Sequence, residues 1–219
     1  MSGGAVRSRP VSGRAPRRSR PAALPRDFYA ADPLLVAPLL LNKLLVRGTR
    51  VARIVEVEAY RGAEDPASHA YSGPTARNAT MFGPPGHLYV YFTYGMHFCA
   101  NAVCGPPGTG HAVLLRALSP VAGLPVMRRS RPPGTPDRNL TSGPAKLCQA
   151  FSITAALDGA DLVTSSAGLT IADDGTAPPP SPGVSPRIGI SRAIDRPWRF
   201  YVPGDPHVSR ARPPVVGRR

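Results

Sequence analysis

Two glutamates lie two residues apart in the run IVEVEAY (54–60), and they are well suited to acid–base chemistry. Side chains two apart on a β-strand point to one face, so Glu56, Glu58 and Tyr60 are expected to share a face. A carboxylate held on a strand beside an aromatic ring can act as a general base. For an isolated strand the simpler interpretation is a solvated face, and the residues alone leave both open. The alternate positions, which are apolar and suit a core face, are Val55, Val57 and Ala59.

Other strands must position this one, and the sequence predicts several. Aromatic and β-branched residues make 87–95 a second strand, with Tyr89 and Tyr91 on one face. Its other face would carry Leu88, Val90 and Phe92. A third strand is expected over 110–120, with Arg116 close to its end. Two short strands are expected at 187–191 and 198–202.

Helices are expected in two places. The first spans 33–46, with Asp32 as its N-cap and Pro33 at its first position. The second spans 142–153, with Ser142 as its cap and Pro144 in its first turn. Between these elements, 130–141 and 173–187 are proline-rich loops. The order of elements is not an alternating βαβ series, so the sequence predicts one mixed α/β (α+β) domain.

The positive charge lies mostly at the two ends of the chain. Residues 1–26 contain seven arginines and residues 210–219 contain four, with no acidic residue in either. That leaves 16 basic and 13 acidic residues for the folded domain, which we place at 27–209. Arginine- and proline-rich tails cannot build a core and are predicted to be disordered. They would add nonspecific attraction to a polyanion without specifying a site.

Composition excludes several classes of protein. No run reaches the roughly 18–20 apolar residues that span a membrane. The N-terminal arginines precede no apolar core, so the chain is not expected to be secreted. Three cysteines without a CxxC pair suggest neither a disulfide framework nor a zinc site. We therefore expect a soluble, cytoplasmic protein without a metal.

Five blocks, in order and at sensible spacing, carry a family resemblance. They are EAYRGAEDPASHA (58–70), RNATMFGPPGHLYVYFTYGMHFCAN (77–101), LLRAL (114–118), SGPAKLCQA (142–150) and RFYVPGDPHVS (199–209). Together they closely resemble the alkyladenine (3-methyladenine) DNA glycosylases, the type distinct from helix-hairpin-helix glycosylases. The resemblance covers essentially all of 27–209. It implies a single compact domain around a curved antiparallel sheet, flanked by helices, with a protruding β-hairpin that enters the minor groove of DNA.

The resemblance also implies a reaction, the hydrolysis of the N-glycosidic bond of an alkylated or deaminated purine flipped from the duplex. Glu58 matches the glutamate that activates water in this family, whereas the purpose of Glu56 stays open. Arg116 matches an arginine that holds the water and the target phosphate. Without the resemblance, Arg116 would be read as part of a surface ion pair.

The base pocket is implied in the same way. Tyr60 and Tyr91 match stacking tyrosines, and His69 matches the histidine on the other side of the base. Asn101 matches an asparagine that excludes guanine, and Tyr94 matches the residue that wedges into the duplex. Taken alone, the histidine would be solvated and the tyrosines would be half-buried packing. Alone, the asparagine would cap a turn and the wedge residue would be an exposed or locally packed hairpin aromatic.

Further contacts with DNA are expected from residues around the hairpin. Arg77 and Asn78 would touch the backbone or order their loop, and Met96 would follow the wedge. Lys146 could in principle form a Schiff base, but family members are monofunctional hydrolases, so it is expected to be structural or to contact phosphate. The chain departs from the family pattern at Thr93, where a bulky apolar residue is usual. It departs again at His97, where an aromatic residue is usual.

The predicted protein is a monofunctional, monomeric DNA glycosylase without cofactor or metal. It would act on double-stranded DNA near the nucleoid and leave an abasic site. Candidate substrates are 3-methyladenine, 7-methylguanine, hypoxanthine and ethenoadenine, which the sequence does not rank. One alternative is an inactive nucleic-acid-binding domain of the same fold that binds through its tails. Another is a hydrolase of free nucleosides, for which a wedge residue and basic ends would have no purpose.

Overall fold

The computed structural model describes residues 21–93 and 95–209. In this part of the chain the α-helices are α1 (Arg26–Tyr29), α2 (Pro33–Leu40), α3 (Leu124–Arg129) and α4 (Pro144–Ala150). The strands are β1 (Ala22–Ala23), β2 (Leu44–Arg47), β3 (Arg50–Arg61), β4 (Leu88–Thr93), β5 (His97–Cys104), β6 (His111–Ala122), β7 (Leu169–Asp173), β8 (Gly183–Ser185) and β9 (Arg199–Tyr201). Short 3₁₀ turns lie at Gly62–Glu64, Ala79–Phe82, Asp137–Asn139 and Ala155–Leu157. None of the described helices is long and apolar enough to cross a bilayer.

The strands form one curved antiparallel sheet with the order β1-β7-β2-β3-β6-β5-β4, and β9 pairs with both β3 and β8. Helices flank this sheet, so the prediction of a single mixed α+β domain is confirmed. The pairing of β3 with β6 shifts register at two places between Ile54 and Val57. Irregularities of this kind bend a sheet and redirect side chains.

Strand β3 has partners along both edges. One edge pairs with β6 along most of its length, and the other pairs first with β2 and then with β9. The segment Glu56–Glu58 therefore lies between β6 and Arg199–Tyr201. A strand enclosed in this way is buried on its edges as well as on its core face, which determines the surroundings of both glutamates.

The main apolar core lies on one face of the sheet, against α2 and α4. Val57 and Ala59 of β3 belong to it, together with Leu88 and Val90 of β4. A smaller cluster of buried residues packs on the opposite face, around Tyr89. The predicted alternation of β3 and β4 is confirmed where it concerns these core residues, because alternate side chains of a strand point to opposite faces.

The first predicted helix was too long. Helix α2 begins as expected, with the Asp32 carboxylate accepting a hydrogen bond from the backbone N–H of Leu34 at 2.8 Å, and with Pro33 at its start. It ends at Leu40 because Asn42 adopts a positive φ of 67° and the chain turns back. The following residues form β2, which pairs with β3 and β7. Strand pairing thus overrides the helical pattern of the sequence.

Two other sequence assignments were wrong in detail. Helix α4 is shorter than 142–153, and its N-cap position is Gly143, with no side-chain cap. The Ser142 hydroxyl instead accepts a hydrogen bond from the ammonium group of Lys146 at 3.2 Å. The segment 187–191 is not a strand, because the backbone N–H of Ile188 binds a side chain instead of a neighbouring strand.

The fold starts earlier than residue 27. Ala22 and Ala23 pair with β7, and the backbone N–H of buried Leu24 donates to the carbonyl of Ile171 at 2.9 Å. The guanidinium of Arg26 binds Asp161 at 2.7 Å. Residues 22–26 are therefore part of the domain, because their backbone and side chains find partners in it. The predictions for 1–20 and 210–219 lie outside the described residues.

Strands β4 and β5 form a hairpin at the free edge of the sheet. Three residues connect them, of which Gly95 has a φ of 66° and Met96 is exposed. Strand β5 was not predicted as a strand, although its pairing with β6 joins the hairpin to the rest of the sheet. The predicted wedge residue, Tyr94, lies outside the described residues.

Candidate active site

Glu58 is fully buried, and two hydrogen-bond donors and one cation surround its carboxylate. The backbone N–H of Ile188 donates to Oε1 at 2.8 Å, and the Tyr60 hydroxyl donates to Oε2 at 2.9 Å. The Arg116 guanidinium lies 3.1 Å from Oε1. Burial raises the pKa of Glu58 above that of an exposed glutamate, and Arg116 only partly opposes this rise. The solvated interpretation of this residue was wrong, because strands cover both edges of β3.

Glu56 is also fully buried, but its partners are different. Its Oε1 accepts from the Nε of Arg116 at 3.0 Å and from the Nε of Arg199 at 2.6 Å. Ser209 donates both its backbone N–H, to Oε2 at 2.6 Å, and its hydroxyl, to Oε1 at 2.7 Å. Two cations and two neutral donors therefore stabilise this carboxylate, more than surround Glu58.

Arg116 connects the two glutamates. It lies on β6 where the register with β3 shifts between Glu56 and Val57, so the irregularity falls at the arginine that contacts both glutamates. The residue is 7% exposed, which makes the surface ion-pair interpretation wrong. One guanidinium thus bridges two buried carboxylates, and its position depends on both.

The strand registers place two predicted site residues, Glu58 and Asn101, in one row across the sheet. Glu58 pairs with Leu114 of β6, Leu114 pairs with Asn101 of β5, and Asn101 pairs with Tyr89 of β4. Directly paired residues of antiparallel strands share a face. The row therefore lies on the face opposite the main core. Asn101 is buried within β5 and donates to the Tyr89 carbonyl at 3.2 Å, so it does not cap a turn.

Aromatic rings line the same face at the hairpin end. The rings of Tyr89 and Tyr91 are stacked, with centroids 5.6 Å apart. The ring of His69 meets Tyr91 edge-on at 4.4 Å, and its Nδ1 lies 3.2 Å from the Tyr89 hydroxyl. Burial, followed by the nearby Arg77 charge, lowers the pKa of His69, which favours a neutral imidazole at pH 7. The structure thus brings His69 and Tyr91 together at an exposed edge of the face.

Two predicted residues near the hairpin, Arg77 and Asn78, differ in burial and in hydrogen-bond partners. The Arg77 side chain is exposed and donates to the Phe92 carbonyl at 2.8 Å, which joins its loop to β4. Asn78 is buried, and its amide binds Thr75, the His69 carbonyl and the Gly73 carbonyl. Asn78 therefore orders the loop that carries His69.

A cavity of about 410 Å³ lies away from both glutamates. It opens between the hairpin and the ends of α3 and α4. Its lining consists of Met96, His97, Phe98, Ser130, Cys148, Gln149, Ser152, Ile153 and Thr154. Among the predicted site residues that the structure describes, only Met96 lines it, so this cavity is separate from the surroundings of Glu58. No cluster of three potential metal ligands occurs among the residues that the structure describes.

Sequence reasoning missed several residues that contact the glutamates. Arg199 and Ser209 bind Glu56, and both lie in the block RFYVPGDPHVS that was noted only for its resemblance. Asp65 and Arg187 form a buried ion pair behind Tyr60. A fully enclosed glutamate needs cationic partners, so Arg199 could have been suspected once the burial of β3 was known.

The chain is similar to known proteins over most of its length. A family model described as Methylpurine-DNA glycosylase (MPG) matches residues 27–206. A Burkholderia lata protein is 59% identical over 189 residues, covering 86% of this chain and 91% of its own. A Streptomyces avermitilis protein is 47% identical over 202 residues, covering 90% of this chain and 95% of its own. Both carry the name "Putative 3-methyladenine DNA glycosylase".

These matches define the chain as a DNA glycosylase, an enzyme whose substrate is DNA. The chain belongs to the methylpurine-DNA glycosylase family, since the family model covers most of its length. The resemblance drawn from the five sequence blocks is therefore confirmed.

Proposed function

We propose that this glycosylase hydrolyses the N-glycosidic bond of a damaged purine after the nucleotide is flipped from double-stranded DNA. The observation that carries the proposal is the buried carboxylate of Glu58, with a raised pKa, two hydrogen-bond donors and the Arg116 guanidinium beside it. It lies on the sheet face that also carries Asn101 and the stacked tyrosines. A carboxylate in such a place suits general-base catalysis.

In the proposed reaction, Glu58 removes a proton from water as the water oxygen bonds to the anomeric carbon. The bond between that carbon and the purine nitrogen breaks, and its electron pair leaves with the purine. Arg116, fixed by Glu56, orients the water and the phosphate of the flipped nucleotide. The product is an abasic site with both strands intact. No residue of the chain becomes covalently attached, so the enzyme is monofunctional.

The flipped purine is proposed to lie between aromatic walls. Tyr60 supplies one stacking surface, and Tyr91 with the adjoining neutral ring of His69 supplies the other. Asn101 lies deeper in the row and is proposed to exclude guanine by crowding its exocyclic amine. Support comes from the shared sheet face and from the hydrogen bond that holds the Asn101 amide in place.

Contacts with the duplex are proposed from the hairpin and its neighbours. Tyr94 is proposed to fill the gap left by the flipped base, with exposed Met96 beside it. Arg77 and Lys146 are proposed to contact phosphates, while Asn78 acts through the loop that it orders. We further infer a monomer that needs neither cofactor nor metal and works in the cytoplasm, where chromosomal DNA lies.

The range of damaged bases can be tested with a panel of duplexes containing 3-methyladenine, 7-methylguanine, hypoxanthine or ethenoadenine. We expect release of both methylpurines and of hypoxanthine and ethenoadenine, without strand cleavage. A chain lacking 1–20 and 212–219 should retain its turnover at low salt, because the fold begins near residue 21 and the site uses Ser209. Retaining Arg210 and Ala211 keeps a new terminal carboxylate away from Glu56.

The same panel separates the alternatives. An inactive binding domain would release no base and would lose most of its DNA affinity with the tails. A nucleoside hydrolase would prefer free nucleoside over duplex in direct competition. Release of methylpurines alone would restrict the proposed substrate range.

The pH dependence of base release should report Glu58. A 7-methylguanine duplex is the best substrate for this test, because that base is cationic and leaves without needing a proton. The single-turnover rate should fall as the pH decreases through the pKa of Glu58, because only the ionised carboxylate accepts a proton. We expect the midpoint above about 4.3, the value of an exposed glutamate. A midpoint below about 4 would contradict the assignment.

A further inference from the structure

Arg187 and Asp65 form an ion pair from which solvent is excluded. Both side chains are 0% exposed, and the two groups meet through paired contacts, with Nη2 of Arg187 2.8 Å from Oδ1 of Asp65. The same guanidinium donates to the carbonyl of Ala59 at 3.0 Å. Because Ala59 lies between Glu58 and Tyr60, this bond attaches Arg187 directly to the catalytic part of β3.

The Arg187 guanidinium lies over two aromatic rings. Its central carbon is 4.5 Å from the centroid of Tyr60 and 5.0 Å from that of Trp198. A flat, charged group in this position restricts the neighbouring rings, and arginine does this better than lysine. The Tyr60 ring is thereby held on one face by Arg187, and its hydroxyl is held by the hydrogen bond to Glu58.

The residue after Arg187 also contacts Glu58. The backbone N–H of Ile188 donates to Glu58 Oε1, although the surrounding segment belongs to no strand. Gly189 then adopts a φ of 78°, so the chain turns away immediately afterwards. No ladder of strand hydrogen bonds holds Ile188. Its carbonyl accepts from Nη1 of Arg116 at 3.4 Å, and the anchored side chain of Arg187 fixes the residue before it.

A contribution to stability is a poor explanation for the buried ion pair of Arg187 and Asp65. Removing two charges from water costs about as much as their attraction returns, so a buried ion pair adds little net stability over apolar residues. What it adds is geometry, because paired hydrogen bonds allow one orientation of the guanidinium.

We propose that Arg187, held by Asp65, is a positioning residue for the glycosylase reaction. It fixes the Tyr60 ring that faces the purine and the Ile188 N–H that binds Glu58. This inference rests on the proposed function of Glu58 as the base. Because the Arg187 side chain is shielded from solvent, we assign it an effect through these neighbours and no contact with the substrate.

The test compares Arg187→Met and Arg187→Lys with Arg196→Met as the matched control. Arg196 also lies over Trp198, at 4.6 Å, and also donates to a backbone carbonyl, that of Glu64. The double variant Asp65→Asn/Arg187→Met leaves no unpaired buried charge, so it serves if the single variant does not fold. The readouts are the folded fraction, the single-turnover rate with saturating enzyme, the affinity for duplex, and the pH midpoint on 7-methylguanine.

We expect Arg187→Met and the double variant to release base about 10- to 100-fold more slowly, as for loss of a hydrogen bond to a charged group. The pH midpoint should rise, because Glu58 loses a donor that favours its ionised form. Arg187→Lys should recover part of the rate, and Arg196→Met should resemble the wild type. Folded Arg187 variants with an unchanged rate and midpoint would overturn the inference. A wild-type chain that releases no base would overturn the proposed function instead.

Discussion

Replacing Glu58 with glutamine is expected to slow base release by about 10²- to 10⁴-fold, the usual contribution of a general base. Duplex affinity should stay within a few-fold of wild type, because Glu58 is buried and makes its contacts within the protein. Glutamine can keep its oxygen toward Ile188 and Arg116, while the Tyr60 hydroxyl turns to accept from the new amide. Single-turnover release and equilibrium binding on a hypoxanthine duplex measure the two effects separately.

The same substitution should make the folded protein more stable at neutral pH. Burial raises the pKa of Glu58, so its contribution to stability is present at acid pH and is lost as the pH rises through that pKa. Glutamine resembles the protonated form at every pH. Thermal unfolding should therefore show a higher Tm for Glu58→Gln at pH 8, with a smaller difference at pH 5.

Glu64 provides the matched control for Glu58. It is the third glutamate of the chain, lies just after β3, and its side chain is 64% exposed. Glu64→Gln should change neither the rate of base release nor the Tm, because its ion pair with Arg61 is screened by water. Normal activity in Glu58→Gln, or equal losses in both variants, would remove Glu58 from the role of base.

Glu56→Gln should have the opposite effect on stability, although Glu56 is equally buried and only two residues away. Its carboxylate forms an ion pair with Arg199 and one of the two ion pairs of Arg116. Removing one partner of a buried ionic network leaves uncompensated charge and typically costs about 3–5 kcal/mol. We expect a loss of this size in the free energy of unfolding, measured by urea denaturation.

A double-mutant cycle tests the cause of that loss. Arg199→Met should be destabilising alone, whereas Glu56→Gln/Arg199→Met should lose less than the sum of the two, because the unpaired cation is gone. Ser209→Ala removes one neutral donor and should cost about 1 kcal/mol. If Glu56→Gln stays within about 1 kcal/mol of wild type, the network does not support the fold.

The contrast between the two glutamates follows from their donors. Glu56 receives two guanidinium groups and both donors of Ser209. Glu58 shares one guanidinium with Glu56 and otherwise has a phenol and a single backbone N–H. This difference in donors is the physical basis for expecting Glu56 to support the fold and for proposing Glu58 as the base.

Much of the site was predictable from the sequence because it depends on strand periodicity. Glu58 and Tyr60 share a face by a spacing of two, and so do Tyr89 and Tyr91. The family resemblance supplied Arg116 and Asn101, and the strand registers then placed Asn101 in the row with Glu58. The roles of these residues stay predictions.

The features that the sequence did not predict depend on contacts between residues far apart in the chain. The burial of Glu56 requires β9 along the second edge of β3, which no local pattern indicates. The shift of register at Arg116 and the left-handed turn at Asn42 likewise depend on neighbouring strands. Ile188 was assigned to a strand because its residue type favours one, whereas its N–H is used by a side chain.

The contacts of Glu56 also make its support depend on residues that are synthesised long after it. Arg199 and Ser209 follow Glu56 by 143 and 153 residues, so a growing chain exposes both glutamates long before their partners exist. Contacts across such distances form late in folding. A chain interrupted before β9 would contain the hairpin and the aromatic face. Glu56, which binds Arg116, would lack its partners Arg199 and Ser209.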